Sequence, residues 1–451
     1  MFELRKSRTG PLWPVRNFLR LGSVSAALAL SVGAVAIPAP VQAQTRVAAG
    51  QDISDFYRAR DGRPLWFGQP GQQPEMLVRL FASANVDGLD SNRYPVEALN
   101  RAIADARTGN RKALRRADML LSQTFVAYVR DLRHPANVGT IYVDQNLRPS
   151  APSARAILDS AAREPSLERY VAQFGWMHPF YGQLRNALAS GAVADDKRGQ
   201  LRVNLERARE LPAGNGRHIL VNAAAQRLFM YENGREVGSM RVVVGKPIYP
   251  TPMMAANVRF ASLNPYWYVP PDLASERIAP NVLKQGMKYL DRQGYEVVHD
   301  FVDNPQIIDP TTVDWKGVAD GKVNVLIRQK PGPHNSMGRI KFMFPNEQGV
   351  YLHDNPEREL FEQAARLYSG GCVRLEDAWR LSRWLFNKDL TWEGAGTEER
   401  VMLDKAVPVY ITYLTAVPDG SNVAYFDDVY GRDKKQLAAI LGGSGSNAAA
   451  R

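Results

Sequence analysis

The spacing of apolar residues changes once along this chain, near Pro212-Ala213-Gly214-Asn215-Gly216, and that change limits the folds open to it. From Ile53 to about Leu211 apolar residues recur at three- and four-residue intervals, in segments such as Pro74 to Ala84, Leu114 to Leu132 and Ala154 to Asp159. This pattern predicts helices with one buried face. Pro135, Pro149, Pro152 and Pro165 punctuate the segments, so several packed helices are expected rather than one long coiled coil. There is no internal repeat, which argues against a solenoid. Beyond the change, His218 to Asn222 and Arg227 to Tyr231 are extended runs, and Glu232-Asn233-Gly234-Arg235 carries the Asn-Gly hairpin signal before Gly238 to Val244 returns. Further strands are predicted over Val323 to Gln329, Lys341 to Phe344, Gly349 to His353 and Val407 to Leu414, and a helix over Leu375 to Leu385. The fold class is therefore α+β and multidomain. A helical scaffold covers 50–212, a β-rich domain 213–415, a C-terminal segment 416–441 and a disordered tail 442–451.

One stretch of the β-rich domain is of a different kind. Residues 262–321 are rich in proline and aromatics, beginning with Asn264-Pro265-Tyr266-Trp267-Tyr268-Val269-Pro270-Pro271. About sixty residues between strands are too many for a plain loop, so they read as a subdomain. Either they pack on the scaffold as an excursion, or they cap the active site, where aromatics would shield a covalent intermediate from water. The cap is the favoured reading.

At the N-terminus Arg5, Lys6, Arg8, Arg16 and Arg20 precede an apolar stretch from Leu21 to Ile37, and Val41-Gln42-Ala43 fits the small-x-small rule for cleavage. Residues 1–43 are therefore expected to be an export signal cleaved after Ala43, with an uncleaved anchor as the alternative. The whole chain carries a formal charge of +11, and removing the signal leaves +7. That excess suits a polyanionic wall or weak contact with a membrane surface, and equally a solvated basic surface. No nucleic-acid signature accompanies it.

Cys372 is the one cysteine of the sequence, within Ser369-Gly370-Gly371-Cys372-Val373-Arg374, nineteen positions after His353 in Tyr351-Leu352-His353-Asp354-Asn355-Pro356. A lone cysteine makes no internal disulfide. It is either a small buried hydrophobe or, in an exported chain, a thiol kept for chemistry. The flanking glycines favour chemistry, because they clear the approach and free amides for a substrate oxygen. His353 is the candidate base, with a carbonyl such as that of Asp354 holding its tautomer. The amides of Gly371 and Cys372 are the candidate oxyanion donors. The thiol is expected on a loop at a helix start, where the helix end would favour the thiolate. Arg374, two residues on, is the candidate grip for a substrate carboxylate. Of the five other histidines, only His334, in the turn-rich stretch Pro331 to Gly338, is a candidate for lining the cleft. No ligand-spaced cluster points to a metal, and no glycine-rich phosphate loop points to a nucleotide cofactor.

These motifs resemble the active-site signature of L,D-transpeptidases with the YkuD-type catalytic domain. Gly332-Pro333-His334-Asn335-Ser336-Met337-Gly338 and Tyr351-Leu352-His353-Asp354 are similar to the YcbB-like branch, as are the aromatic-proline insert and the N-terminal Phe56-Tyr57-Arg58-Ala59-Arg60 and Pro64-Leu65-Trp66. The resemblance implies that Cys372 is an acylated nucleophile and His353 its proton donor and acceptor, with Arg374, Ser369, Tyr351 and Asn335 as substrate contacts. It implies a periplasmic enzyme that joins peptidoglycan stems by 3→3 cross-links, from a tetrapeptide donor to a diaminopimelate amine, without a cofactor and open to carbapenems. A carboxypeptidase or endopeptidase acting with water, or a silent wall-binding protein, are the alternatives. Two departures stand out. Gly370 occupies the place where many such enzymes have a second histidine, and between Leu188 and Leu201 only a short polar stretch stands where the branch often carries a peptidoglycan-binding module.

Overall fold

The structure, a computed structural model, describes residues 41–446 apart from 135–136, 214–215, 303 and 392–397. The expected export signal falls almost wholly outside them, as does the end of the expected tail. No helix among the described residues is long and apolar enough to cross a membrane.

The first part is helical: α1 (Val41–Arg58), α2 (Gln73–Ala82), α3 (Val96–Arg107), α4 (Arg111–Leu132), α5 (Ala154–Ala162), α6 (Leu167–Ala172), α7 (Pro179–Ala189) and α8 (Asp195–Ala208). Side-chain caps start several of them. Asn110, Ser153 and Ser166 accept amides of the first turns of α4, α5 and α6. The core between the helices is aromatic, with Trp66, Phe81, Phe125, Tyr128 and Tyr181 all buried. Two buried carboxylates organise it. Asp118, in mid-α4, takes the amides of Leu65 and Trp66 at 2.8 and 2.7 Å and the hydroxyl of Tyr57. Asp87 takes the hydroxyls of Tyr128 and Tyr181 at 2.8 and 2.7 Å and the Arg185 guanidinium at 3.2 Å. Each carboxylate is thus satisfied by donors from distant segments, which pins the helices in one arrangement.

A short strand, β1 (Ile141–Tyr142), leaves this region to pair in parallel with β5 (Met254–Leu263) of the next. There β2 (His218–Asn222), β3 (Arg227–Glu232) and β4 (Arg235–Gly245) form a meander. Asn233 and Gly234 have φ of 52° and 72°, as a two-residue hairpin loop of the primed type requires. The sheet continues through β10 (Ile340–Met343), β11 (Leu352–His353), β13 (Val373–Leu375) and β14 (Glu399–Thr412) in the order β5-β10-β11-β13-β4-β3-β2-β14, and β14 pairs back with β5. The ring of strands encloses a second core that includes Ile219, Val242, Val258, Phe342, Leu352 and Val373. A further strand, β12 (Leu367–Ser369), runs parallel to the end of β4.

The insert builds its own sheet and core. Strands β6 (Trp267–Tyr268), β7 (Tyr295–Val298), β8 (Ile307–Ile308) and β9 (Leu326–Gln329) stand in the order β6-β9-β7-β8. Helices α9 (Pro271–Leu273), α10 (Ala279–Gln285), α11 (Lys288–Gln293) and α12 (Trp315–Ala319) cover it, and Trp267, Ile278, Val297, Trp315 and Ile327 form its centre. This corrects one boundary. The run Val323 to Gln329 belongs to the insert rather than to the surrounding domain, because β9 supplies the strand that β6 and β7 both need as a neighbour.

Helix α13 (Ala378–Phe386) follows β13. A hairpin of β15 (Ala416–Asp419) and β16 (Asn422–Tyr425) leads to α14 (Arg432–Ser446). The last helix therefore runs into the stretch expected as a disordered tail.

Candidate active site

Cys372 sits in the turn between β12 and β13, and His353 ends β11 beside it. The two strands are parallel neighbours, with Leu352 opposite Val373 and His353 opposite Arg374, and the Val373 amide donates to the Tyr351 carbonyl at 3.0 Å. Strand pairing therefore brings together two groups nineteen residues apart in sequence. The expected helix start is corrected. Val373-Arg374-Leu375 is extended, and α13 begins only at Ala378, capped by Asp377, so the thiol does not lie at the start of that helix.

The imidazole of His353 is buried, and its Nδ1–H donates to the Asp354 carbonyl at 2.6 Å. A carbonyl only accepts, so Nδ1 carries the proton and Nε2 is left as the basic nitrogen. Burial, and then the nearby Arg374 charge, push the His353 pKa down to about 3, against the pull of the Asp354 and Met337 backbone. Burial likewise pushes the Cys372 thiol up, against the Tyr351 backbone and Arg374. Both groups are thus neutral at neutral pH. Among the described residues the thiol's hydrogen bond goes to the Gly349 carbonyl, at 3.6 Å.

The nucleophile turn is fixed by its own side chain. Ser369 Oγ donates to the Cys372 carbonyl at 2.6 Å and accepts the Gly371 amide at 3.1 Å. Gly371 has φ of 119°, which only glycine adopts readily, and its carbonyl takes the Thr251 hydroxyl at 2.8 Å. Two sequence expectations change here. Ser369 is buried and holds the turn rather than facing a substrate, and the Gly371 amide is engaged by Ser369 rather than open to an oxyanion.

The other expected substrate contacts fall out differently. Arg374 gives Nη1 to Glu357 at 2.7 Å and to Asn355 at 3.3 Å, so its fork is partly occupied from within. Asn335 is buried, its amide bound to the carbonyls of Pro265, Gln329 and Lys330 and its Oδ1 to the Met337 amide. It stitches the insert to the barrel and has no face for a substrate. Tyr351 is partly buried next to the thiol, its phenol pKa raised by burial and then by Cys372. His334 is exposed on the turn, its carbonyl held by Gln329. The insert reaches the nucleophile turn through Leu273, whose Cδ1 would lie 3.6 Å from a Cβ placed on the exposed Gly370.

Residues 216–411 match the model of the YkuD family, the L,D-transpeptidase catalytic domain, and residues 51–188 match that of the scaffold domain. This chain carries an L,D-transpeptidase catalytic domain. A Haemophilus influenzae protein that bears the provisional name L,D-transpeptidase is 27% identical over 409 residues, covering 86% of this chain and 79% of its own length. Among solved structures, an L,D-transpeptidase from Mycobacterium smegmatis is similar with a TM-score of 0.22 and 14% identity, over 44% of this chain and 60% of that one. An Ldtfm-avibactam carbamoyl enzyme gives 0.21 and 14%, over 45% of this chain and 51% of that one.

Two residues of the transpeptidase domain went unread in the sequence. Lys341, opposite His353 across β10 and β11, is buried and paired with Glu398 at 3.2 Å, and burial lowers its pKa. Its signal was a lysine inside the apolar run Ile340-Lys341-Phe342. Thr251 is fully buried and joins the Gly245 amide to the Gly371 carbonyl, a role no local pattern announces.

Proposed function

We propose that this protein is an exported L,D-transpeptidase of the YcbB-like branch that acts in the periplasm on peptidoglycan stem peptides through a Cys372 thioester. The observation that carries the reading is the parallel pairing of β11 with β13, which sets His353 beside the turn that bears Cys372 inside the matched catalytic domain, with Nδ1 of His353 tied to the Asp354 carbonyl. With Nδ1 so committed, Nε2 accepts the thiol proton once the side chain of Cys372 turns from Gly349 toward it. The sulfur bonds to the carbonyl carbon that joins diaminopimelate to the terminal D-alanine of a tetrapeptide. The oxyanion is met by the Cys372 amide, since the Gly371 amide is engaged. The carbon–nitrogen bond then breaks, His353 returns its proton to the leaving amine, and D-alanine departs. A diaminopimelate side-chain amine of a second stem attacks the thioester, passes a proton to His353 and releases the thiol, which gives a 3→3 cross-link. The insert, with Leu273 beside Gly370, keeps water from the intermediate.

Hydrolysis of the same thioester would make the protein a carboxypeptidase, and incubation with purified tetrapeptide followed by mass analysis separates the two. A dimer mass is expected, together with a thioester adduct on Cys372. Loss of D-alanine alone would reassign the activity to hydrolysis, and neither product would leave a wall-binding role.

A further inference from the structure

Lys341 is the charged residue of the run Ile340-Lys341-Phe342-Met343, and it lies opposite His353, so the two side chains leave the same face of the sheet. Ile340 and Phe342 belong to the barrel core on the other face. The insert begins above the face that carries Lys341. After β5 the chain turns at Asn264, whose φ is 49°, and enters the insert through Pro265 and Tyr266. Both backbone groups of Tyr266 end on one ion pair. Its amide donates to Oε2 of Glu398 at 3.2 Å, its carbonyl accepts Nζ of Lys341 at 3.3 Å, and Nζ meets Oε1 of Glu398 at 3.2 Å. The same ammonium stands 5.7 Å from the centre of the Tyr268 ring.

Charge at this place is costly. The two side chains are 8% and 13% exposed, and a buried pair stabilises a fold little more than apolar side chains of the same volume would. What the pair does that apolar side chains could not is bind a main-chain donor and a main-chain acceptor at once. Its parts come from three segments, with Lys341 on β10, Glu398 just before β14 and Tyr266 at the foot of the insert. Asn335 joins the entry of the insert to its exit, through the carbonyls of Pro265 and Gln329. With both ends joined, one fixed point at Tyr266 sets where the insert sits. Leu273, farther along the insert, then comes to rest beside Gly370.

We infer that Lys341 and Glu398 are positioning residues, an ion pair that clamps the foot of the insert to the strand beside His353 and so holds the insert over the Cys372 thioester. The inference rests on the thioester reading given above. The pair touches no reacting atom and acts through Tyr266. When the clamp is lost the insert lifts from the nucleophile turn, and water competes with the acceptor amine. Water then attacks the thioester carbonyl carbon, the carbon–sulfur bond breaks, and the thiol and a tripeptide acid are released in place of a cross-link.

The test replaces both partners in the full chain, Lys341→Met together with Glu398→Met, so that neither charge is left buried alone. Two ratios are measured at a temperature where denaturation melts show both proteins folded. In tetrapeptide turnover, the ratio of cross-linked dimer to free tripeptide is expected to fall about tenfold. In labelling of Cys372 without substrate, a bulky neutral maleimide is expected to gain about tenfold on iodoacetamide, a comparison that cancels any change in the thiol's own reactivity. Lys341→Arg keeps a cation and a donor for the Tyr266 carbonyl, and it is expected to retain both wild-type ratios. If the double variant changes neither ratio, or Lys341→Arg changes both as much, the assignment falls. A wild type that yields neither dimer nor tripeptide would overturn the thioester reading instead, and the labelling ratio would still decide whether the pair holds the insert closed.

Discussion

The hydroxyl of Ser369 closes a ring on the nucleophile turn, donating to the carbonyl of Cys372 at 2.6 Å while it accepts the amide of Gly371 at 3.1 Å. From the other side, Thr251 holds the Gly371 carbonyl at 2.8 Å, and the Ser369 carbonyl takes the Lys246 amide at 3.0 Å. The turn is therefore fixed at several consecutive polar groups, and the sulfur hangs from a backbone with little freedom to shift. Such positioning matters because an ångström of misplacement at a nucleophile costs about a hundredfold in rate.

Ser369→Ala removes both bonds and leaves the Gly371 amide buried without its partner. Stability should fall by about 1–3 kcal/mol. Conversion of tetrapeptide should slow at constant KM, since the loss concerns placement of the thiol rather than substrate affinity. Chemical denaturation and steady-state kinetics measure the two effects. An unchanged kcat would show that the backbone keeps the turn unaided.

The neutral state of the Cys372 and His353 pair has a consequence for pH. Burial raises the thiol above its ordinary value of 9.0, so thiolate accumulates only in alkaline solution. Alkylation of Cys372 by iodoacetamide should then climb about tenfold per pH unit through the neutral range, with no plateau there. Arg374 pulls the thiol down, so Arg374→Gln should move the profile to still higher pH. A plateau near neutral pH in the wild type would mean a preformed thiolate and imidazolium pair. Unaltered profiles in the variant would confine Arg374 to its contacts with Glu357 and Asn355.

Much of this site was readable because its parts are local motifs. The Asn-Gly hairpin, the runs His218 to Asn222 and Arg227 to Tyr231, and the Asp354 carbonyl behind His353 all follow from neighbours in sequence. The misreadings have a common cause, which is partners supplied by tertiary structure. Val373 to Leu375 is too short to announce a strand and becomes one only by lying between β11 and β4. The run at Leu326 to Gln329 looks like any barrel strand until Trp267 and Tyr295 pair with Gln329. Asn335 and Ser369 are polar residues in signature motifs, and nothing local separates a side chain that touches substrate from one that satisfies buried backbone.

At the junction of scaffold and barrel, His178 and His218 are both buried, with ring centroids 5.9 Å apart and His218 stacked on Tyr231 at 4.9 Å. Burial, and then His218, push the His178 pKa down to about 3 from 6.5. The unfolded chain therefore binds the proton first as pH falls. The stability this group contributes is complete above about pH 6.5 and is lost progressively as pH falls toward 3, at about 1.4 kcal/mol per pH unit. His178→Asn retains a cap for the Phe180 amide and removes the titration. Denaturant melts at pH 7, 6, 5 and 4 should show a shallower acid slope in the variant by about one proton. Equal slopes would assign acid sensitivity to other groups, such as His353.

Gly338 is required by its neighbour as well as by its backbone. Its φ is 65°, and a Cβ there would lie 2.4 Å from Asp354 Oδ2 and 2.6 Å from Asp354 Cβ. Asp354 cannot yield freely, because Oδ2 accepts the Arg339 amide at 3.0 Å, Oδ1 accepts Arg358 at 2.9 Å and its own amide donates to Ile340 at 2.8 Å. Its carbonyl also sets the His353 tautomer. Gly338→Ala should therefore cost about 2–3 kcal/mol of stability and also slow tetrapeptide conversion, by disturbing the base. Gly420→Ala is the control. Gly420 has φ of 58° but open space around a Cβ, so it carries the backbone strain alone, about 1 kcal/mol, and should leave conversion unchanged. If both variants lost stability and neither lost rate, the Asp354 carbonyl would not be what orients His353. If Gly338→Ala alone lost rate, and its rate recovered when Asp354→Gly removed the clashing side chain while leaving the backbone carbonyl in place, steric displacement of that carbonyl would be the cause.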